Sequence, residues 1–279
     1  MRSVLSETEL EEIFDAYIVP EFQAIANSAP TYFMPTLIVF GGQPGAGKSR
    51  SMAKVLREYP TAVEVVGDDF RRLHPDYEEL MSSPGTALQM PEVTAQASGR
   101  WVEMSIEYLR EQGSSVVLET TMRQPDVVAR TMGEFHDAGY YCEMRVLAVP
   151  REVSLLGVLE RYTYQVRENG AGRWAPVDMH DAAYNNAFQT LDELVSAAVV
   201  DRIVVTNRSS YPLYDTRTHS DIKVDEIKET ITRWRDFTAL SSSELSSWRA
   251  SLEQVKATLT DFGEKNQDVL GVLKSLEVL

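Results

Sequence analysis

Leu37-Ile-Val-Phe40 leads through Gly41 into Gly42-Gln-Pro-Gly-Ala-Gly-Lys-Ser49, and these residues constrain how the remainder of the chain is interpreted. A short apolar run before a G-x-x-x-x-G-K-[ST] sequence is the pattern of a buried strand followed by a phosphate-binding loop. The pattern predicts a protein that binds ATP or GTP. The residues predicted to contact the nucleotide are Gly42, Gln43, Pro44, Gly45, Ala46, Gly47, Lys48 and Ser49.

The chemistry of phosphate binding explains the residue types in this loop. Glycines let the backbone approach a phosphate closely and direct several N–H groups towards it. Lys48 is predicted to supply a cation for the β and γ phosphates, and Ser49 a hydroxyl ligand for Mg²⁺. The helix that begins here directs the positive end of its dipole at the anion. The loop therefore explains nucleotide binding, whereas the reaction depends on other residues.

Strand and helix patterns alternate along the chain from Thr36 to about Arg208. The predicted strands span residues 37–40, 62–66, 115–118, 141–149 and 203–205. This alternation predicts an α/β fold, a P-loop nucleotide-kinase-like parallel sheet with helices on both faces and ligands at the carboxyl ends of the strands. We predict three segments: an N-terminal helix in residues 1–30, the kinase-like domain in residues 31–210, and a C-terminal helical segment in residues 211–279.

Helical segments flank the alternating region. The first is predicted from a capping box at Ser6-Glu-Thr-Glu9 and from apolar residues at helical spacing before Pro20. The second has an apolar stripe at heptad spacing, broken only weakly by Gly263: Leu245, Trp248, Leu252, Val255, Leu259, Phe262, Val269, Leu273 and Leu276. The stripe predicts a helix packed on its own domain or on the first helix, a partner-binding coiled coil, or a tethered inhibitor over the nucleotide cleft.

Composition narrows the classes of protein. The chain has 279 residues and a net charge of −15, which disfavours a nucleic-acid partner because polyphosphates are bound through clustered Lys and Arg. Cys142 is the only cysteine, and its apolar neighbours predict a buried, unreactive thiol. Neither a signal peptide nor a membrane-spanning stretch is recognisable in the sequence. We therefore expect a cytoplasmic protein that has no membrane partner.

Acidic residues follow the second and third predicted strands. Asp68 is placed where the base of a phosphotransferase accepts the proton of an attacking hydroxyl, although a structural aspartate that caps the next helix, as Asp69 could, is an alternative. Glu119 has two interpretations of its own. It is either a ligand of Mg²⁺ or an acceptor of hydrogen bonds from substrate hydroxyls, and residue type alone does not separate them.

Basic residues in the same region suggest phosphate contacts. Arg161 lies on a predicted helix and Arg173 in a Gly-rich segment that we expect to be flexible, so both could close on a transferring phosphate as a lid. Arg123 is a candidate phosphate ligand. His74 and His180 are predicted to be structural, because no H-E-x-x-H or G-x-S-x-G motif is present.

The combined motifs resemble the zeta-toxin family, the kinase component of bacterial epsilon/zeta-type toxin–antitoxin systems. The resemblance covers about residues 36–210 and depends on segments in the family's order: Gly41–Ser49, Gly67–Pro75, Glu119–Arg123, Glu160–Tyr162, Arg173, His180–Asp181 and Val205–Arg208. It implies an enzyme that transfers the γ-phosphate of ATP to the 3′-hydroxyl of the amino sugar in UDP-N-acetylglucosamine.

The resemblance also implies roles for individual residues. Lys48 and Ser49 would bind ATP and Mg²⁺, Asp68 would be the base, and Arg161 and Arg173 would contact the transferring phosphate. Glu119 and Thr121 would hold the nucleotide sugar, with Arg123 nearby. An antitoxin protein is the expected macromolecular partner.

Residues 119–123, which we expect to form one wall of the acceptor pocket, read Glu-Thr-Thr-Met-Arg. The family pattern is Glu-Gly-Thr-Gly-Arg, so Thr120 and Met122 replace both glycines. We expect a β-branched and a bulky residue to narrow or stiffen the acceptor pocket. Alternative functions are therefore a kinase for another nucleotide sugar or a nucleoside phosphate, and a nucleotide-switched binding module that has no acceptor.

Overall fold

Residues 4–26, 34–218 and 221–279 are described by the structure, a computed structural model. The predicted boundary between residues 30 and 31 lies outside these residues, and the boundary near residue 210 stays a prediction.

A six-stranded sheet forms the centre of the molecule. Its strands are β1 (Thr36–Gly41), β2 (Val63–Val65), β3 (Val116–Thr120), β4 (Tyr141–Leu147), β5 (Arg202–Thr206) and β6 (Pro212–Asp215). Their order is β2-β3-β1-β4-β5-β6, and all neighbours are parallel except β5 and β6. The predicted parallel α/β sheet is confirmed. The antiparallel β6 was not predicted, because four partly exposed residues give little strand pattern.

Helices surround this sheet. In chain order they are α1 (Glu7–Ile13), α2 (Val19–Ala26), α3 (Lys48–Glu58), α4 (Gly67–Phe70), α5 (Tyr77–Met81), α6 (Pro84–Ala87), α7 (Met90–Val93), α8 (Ala95–Glu111), α9 (Pro125–Asp137), α10 (Arg151–Asn169), α11 (Val177–Ser196), α12 (Val224–Trp234), α13 (Ser242–Phe262) and α14 (Gln267–Glu277). Short 3-10 turns occupy Arg71–Leu73, Thr216–Thr218 and Phe237–Ala239. None of the helices in the described ranges combines the length and apolarity that a bilayer crossing needs.

The N-terminal helix does not stop at Pro20. A π-helical turn, Phe14–Ile18, joins α1 to α2, and the N–H of Val19 donates to the carbonyl of Phe14. A proline lacks the N–H that would continue the α-helical pattern, and its ring crowds the preceding turn. The wider π turn lies just before the proline, and the helix continues to Ala26.

Alternate residues of β1 enter two different cores, as expected for a strand covered on both faces. Leu37 and Val39 belong to a core that also contains side chains of α1, α8, α9 and α11. Ile38 and Phe40 belong to the core beneath α3. The two cores confirm that helices cover both faces, so the carboxyl edge of the sheet is left for ligands.

A third core joins the C-terminal segment to α10. Seven of the nine stripe residues are buried there: Trp248, Leu252, Val255, Leu259, Val269, Leu273 and Leu276. Gly263 ends α13 in the left-handed conformation (φ 62°), and the ion pair between Lys256 and Glu277 places α14 back along α13. The stripe is therefore a folded hairpin on its own domain. The interpretation of Gly263 as a weak break was wrong.

Cys142 has the buried environment that the sequence predicts. Its side chain is fully buried, and burial together with Asp201 raises the pKa of the thiol to about 12. Because the thiolate is the reactive species, we expect no reaction with a thiol reagent such as DTNB in the native state. One thiol should react after denaturation in guanidinium chloride. Rapid labelling of the native protein would contradict this burial.

Candidate active site

The phosphate-binding loop is packed tightly against α10. Gly45 (φ 77°) and Gly47 (φ 99°) have left-handed backbones, and a Cβ on Gly45 would lie 2.0 Å from the carbonyl oxygen of Ser154. The buried Lys48 Nζ donates to the carbonyls of Gly42 and Gln43 at 2.6 and 3.2 Å. The loop is thus preformed, and its lysine lies inside it. Ser49 is exposed in the first turn of α3.

A buried chain of hydrogen bonds links the phosphate-binding loop to α10 and α11. Gln43 Nε2 donates to the carbonyl of Val149 and to Ser154 Oγ, both at 3.1 Å. Ser154 Oγ lies 2.8 Å from His180 Nε2, and His180 Nδ1 lies 2.9 Å from an Asp181 carboxylate oxygen. Arg151 in turn makes a two-bond contact with Asp181 at 2.8 and 2.7 Å.

This chain has the residue types of a hydrolase triad but not its accessibility. Ser154 and His180 are fully buried, so no substrate can reach the serine hydroxyl. Desolvation lowers the pKa of His180 although Asp181 opposes the shift. A neutral ring with its proton on Nδ1 fits both hydrogen bonds. These observations agree with the structural role predicted for His180; His74 is likewise buried, and its Nδ1 accepts from the N–H of Asp76.

Asp68 lies at the carboxyl edge of the sheet among arginines. Arg71 Nε and Arg173 NH1 each lie 2.9 Å from one of its carboxylate oxygens. Burial raises the pKa of the Asp68 carboxyl, but Arg173, Arg71 and Arg161 together outweigh burial and hold it below the usual value. Asp68 is thus ionised at neutral pH. Asp69 does not cap α4, because the residue at the N-cap position is Val66.

The two predicted lid arginines lie close enough to repel each other. Desolvation and Arg173 together lower the pKa of Arg161 to about 10, against the opposing effect of Asp68 and Glu119. Both Arg161 Nε and Arg173 Nε are buried and have no hydrogen-bond partner among the described residues. Buried unpaired N–H groups beside like charges are unfavourable unless an anion satisfies them. This corner of the site therefore suits a phosphate.

The predicted acceptor residues line a cleft of about 780 Å³ between α8 and α9. Asp68, Glu119, Thr121 and Arg123 all face it. Glu119 also lies 3.4 Å from Lys48 Nζ, which joins the cleft to the phosphate-binding loop. Its volume is in the range of sites for substrates and cofactors.

Met122 does not narrow this cleft, contrary to the sequence-based expectation. It is fully buried in the main core, and its φ of 55° turns the side chain towards Gly41, where a Cβ would lie 2.1 Å from Met122 Sδ. Thr120 does line the cleft, and its Oγ1 accepts from the N–H of Met122 at 3.2 Å. The expected effect on the pocket wall is therefore confined to Thr120.

Sequence reasoning assigned no role to Arg71 or Arg208. Arg71 pairs with Asp68 and donates to the carbonyl of Pro91 at 2.7 Å, and its spacing of three from Asp68 was the available signal. Arg208 NH1 donates to the carbonyl of Gly45 at 3.1 Å and to that of Val153 at 2.9 Å. It ties the loop to α10. Only the fold brings this residue to a loop 163 positions earlier.

Comparison with known proteins identifies the family. The sequence model described as zeta toxin matches residues 23–219, which is more than half of the chain. The chain belongs to the zeta-toxin family. It is 32% identical over 200 residues to Toxin zeta of Streptococcus pyogenes, covering 70% of this chain and 68% of that protein. Toxin PezT of Streptococcus pneumoniae serotype 4 is 29% identical over 200 residues, covering 71% and 78%.

Solved structures share the fold of this zeta-toxin family member. One from the PezAT chromosomal toxin–antitoxin system of Streptococcus pneumoniae superposes with a TM-score of 0.72 at 23% identity, covering 94% of this chain and 100% of that chain. An AvrRxo1-ORF1:-ORF2 complex with ATP gives 0.54 at 14% identity, covering 97% and 87%. At these identities the likeness concerns the fold alone.

Protonation of His180 should weaken the folded state. Because its pKa is lower in the folded than in the unfolded chain, the unfolded chain binds more protons between the two values, and stability falls as pH drops below about 6.5. We expect the free energy of unfolding in urea to decrease from pH 7 to pH 5 more steeply in the natural protein than in His180→Gln. Parallel pH curves for the two proteins would contradict the assignment.

Proposed function

We propose that this zeta-toxin family member is an ATP-dependent kinase that phosphorylates the 3′-hydroxyl of the amino sugar in UDP-N-acetylglucosamine. The observation that carries the proposal is the position of Asp68. It faces the acceptor cleft, lies 2.9 Å from Arg173 and is close enough to Arg161 for that charge to lower the pKa of its carboxyl. The proposed base therefore lies beside two arginines, and Glu119 of the same cleft contacts Lys48 of the phosphate-binding loop.

The donor half of the site fits ATP with Mg²⁺. The loop Gly42–Ser49 would bind the phosphates through its N–H groups. Lys48 Nζ would exchange its hydrogen bonds to the carbonyls of Gly42 and Gln43 for contacts to the β and γ phosphates. The described residues contain no cluster of three or more acidic, His or Cys side chains suited to a metal. Mg²⁺ commonly binds through one or two protein ligands and substrate phosphates, so Ser49 fits as its protein ligand. Bound Mg²⁺ would neutralise charge on the β and γ phosphates.

ATP is the proposed donor, and GTP is the alternative. The AvrRxo1-ORF1:-ORF2 complex has been solved with ATP, which supports ATP as the donor in a chain of this fold.

In the proposed reaction the 3′-oxygen of the sugar attacks the γ-phosphorus of ATP. The bond from that phosphorus to the bridging oxygen breaks, ADP leaves, and the hydroxyl proton passes to Asp68. Arg173 would exchange its contact with Asp68 for the transferring phosphate, where it and Arg161 stabilise the developing charge. Asp68, held ionised by these arginines, is ready to accept the proton.

The acceptor would occupy the cleft between α8 and α9. We assign Glu119 and Thr121 to the nucleotide sugar, because both line the cleft beside Asp68, and Arg123 to its phosphates. Thr120 also lines the cleft and departs from the family pattern, which favours another nucleotide sugar or a nucleoside phosphate as the alternative acceptor. The third candidate, a nucleotide-switched binding module, loses support because the tail packs on α10.

We further propose that an antitoxin protein binds this chain. The solved PezAT structure comes from a toxin–antitoxin system, and the shared family supports the same kind of partner here.

Replacement of Asp68 tests the proposed reaction. We expect purified protein with Mg²⁺ and ATP to add one phosphate to UDP-N-acetylglucosamine, measured by mass spectrometry. Asp68→Asn should lower kcat by roughly a hundredfold or more, because general-base catalysis contributes about 10²–10⁴-fold. ATP affinity, measured by calorimetry, should persist.

Asp69→Asn is the matched control, since it makes the same chemical change one residue away and should retain activity. Unchanged turnover in Asp68→Asn would refute the base assignment. If another nucleotide sugar or a nucleoside phosphate gains the phosphate instead, only the acceptor assignment fails.

A further inference from the structure

Each lid arginine is followed in the chain by a buried aromatic residue. Tyr162 follows Arg161, and Trp174 follows Arg173; these aromatic residues are 4% and 6% exposed. Their rings meet edge to face, with centroids 5.6 Å apart. The two arginine-bearing segments, α10 and the loop of residues 170–176, are therefore joined by an aromatic contact between the residues that follow the arginines.

Both aromatic residues donate hydrogen bonds to carboxylates of what we call the α13–α14 turn, formed by the connection that contains Glu264 and by the first turn of α14, which contains Asp268. The Tyr162 hydroxyl donates to Glu264 at 2.6 Å, and Trp174 Nε1 donates to Asp268 at 2.7 Å. The other oxygen of Glu264 accepts from the backbone N–H groups of Lys265 and Asn266 at 2.8 and 2.7 Å. Backbone hydrogen bonds of the turn therefore orient the Glu264 carboxylate that accepts from Tyr162.

The loop of Arg173, which the sequence predicts to be flexible, packs against the same surroundings. Gly172 approaches Tyr162 so closely that a Cβ would lie 2.6 Å from its carbonyl oxygen. The N–H of Arg173 donates to Gln165 Oε1 at 2.9 Å. Trp174 belongs to the core shared by α10, α13 and α14. The guanidinium group of Arg173 is therefore aimed at Asp68 by a packed loop.

We propose that the α13–α14 turn positions both arginines for phosphoryl transfer, with Glu264 and Asp268 as positioning residues that act through Tyr162 and Trp174. The inference depends on the proposed kinase function. Apolar contacts of the stripe already attach the hairpin to α10, whereas the two hydrogen bonds are directional and charge-assisted. Their geometry fixes where the arginine-bearing segments lie. The tail is thus part of the catalytic apparatus through these two hydrogen bonds.

Removal of each carboxylate tests the proposal. Glu264→Ala and Asp268→Ala should lower kcat roughly tenfold to a hundredfold, since small misplacements of positioning groups cost that much, while the KM for ATP stays the same. Asp268→Asn should recover most of the activity, because an amide oxygen still accepts from Trp174. Glu277→Ala is the matched control: it breaks an ion pair on the same hairpin, with Lys256, and should keep full activity.

A second measurement does not depend on the acceptor. ADP with aluminium fluoride mimics the transferring phosphate, so the natural protein should bind it more tightly than ADP alone. Glu264→Ala and Asp268→Ala should lose this preference and keep their affinity for ADP. Tyr162→Phe removes only a hydroxyl and provides a second variant if the alanine variants unfold on heating.

The outcomes separate this inference from the proposed function. Loss of the preference in the variants, with no phosphorylated acceptor in any protein, would support the positioning role and refute the acceptor assignment. Normal kcat and normal preference in folded variants would overturn the positioning role alone. A natural protein that shows no preference for the mimic would overturn the inference, because the arginines would then have no transferring phosphate to stabilise.

Discussion

Positive charge held in a buried corner is the constraint on which this site depends. Arg161 and Arg173 lie close together, and each has a buried Nε without a partner among the described residues. Two nearby carboxylates, Asp68 and Glu119, offset part of that charge. Such an arrangement persists only if the surrounding structure holds the guanidinium groups in place, since repulsion and desolvation both oppose it. An incoming phosphate would relieve both costs.

The rest of the fold supplies that support through α10. One side of this helix contacts the phosphate-binding loop at Gly45, and its other side joins the core of the C-terminal hairpin. Its first turn also contributes Ser154 to the hydrogen-bond chain that continues through His180 to Asp181. The phosphate-binding loop and the C-terminal hairpin therefore both pack against the helix that carries Arg161. A change in the tail can therefore reach the site through this helix.

Much of the fold was predictable because local patterns agree with tertiary structure. The parallel sheet, the loop before α3 and the burial of Cys142 follow from apolar runs and glycine spacing. Predictions failed where tertiary packing overrode the expectation from a local sequence pattern. Gly263 reverses the chain instead of weakly interrupting a helix, and Met122 adopts a left-handed backbone with its side chain in the core beside Gly41. The roles proposed for the site residues stay predictions.

By itself, the sequence determined the type of site: a phosphate-binding loop, acidic residues after neighbouring strands, Arg161 on a later helix and Arg173 in the Gly-rich segment after it. These features are set by short segments, since glycine geometry, strand periodicity and side-chain chemistry are local properties. Only the tertiary structure decided which side chains face one another. Arg71 and Arg173 meet on Asp68, Arg208 reaches the loop, and the tail carboxylates meet Tyr162 and Trp174. Contacts between residues about a hundred positions apart depend on how whole helices pack, and no local pattern encodes that packing.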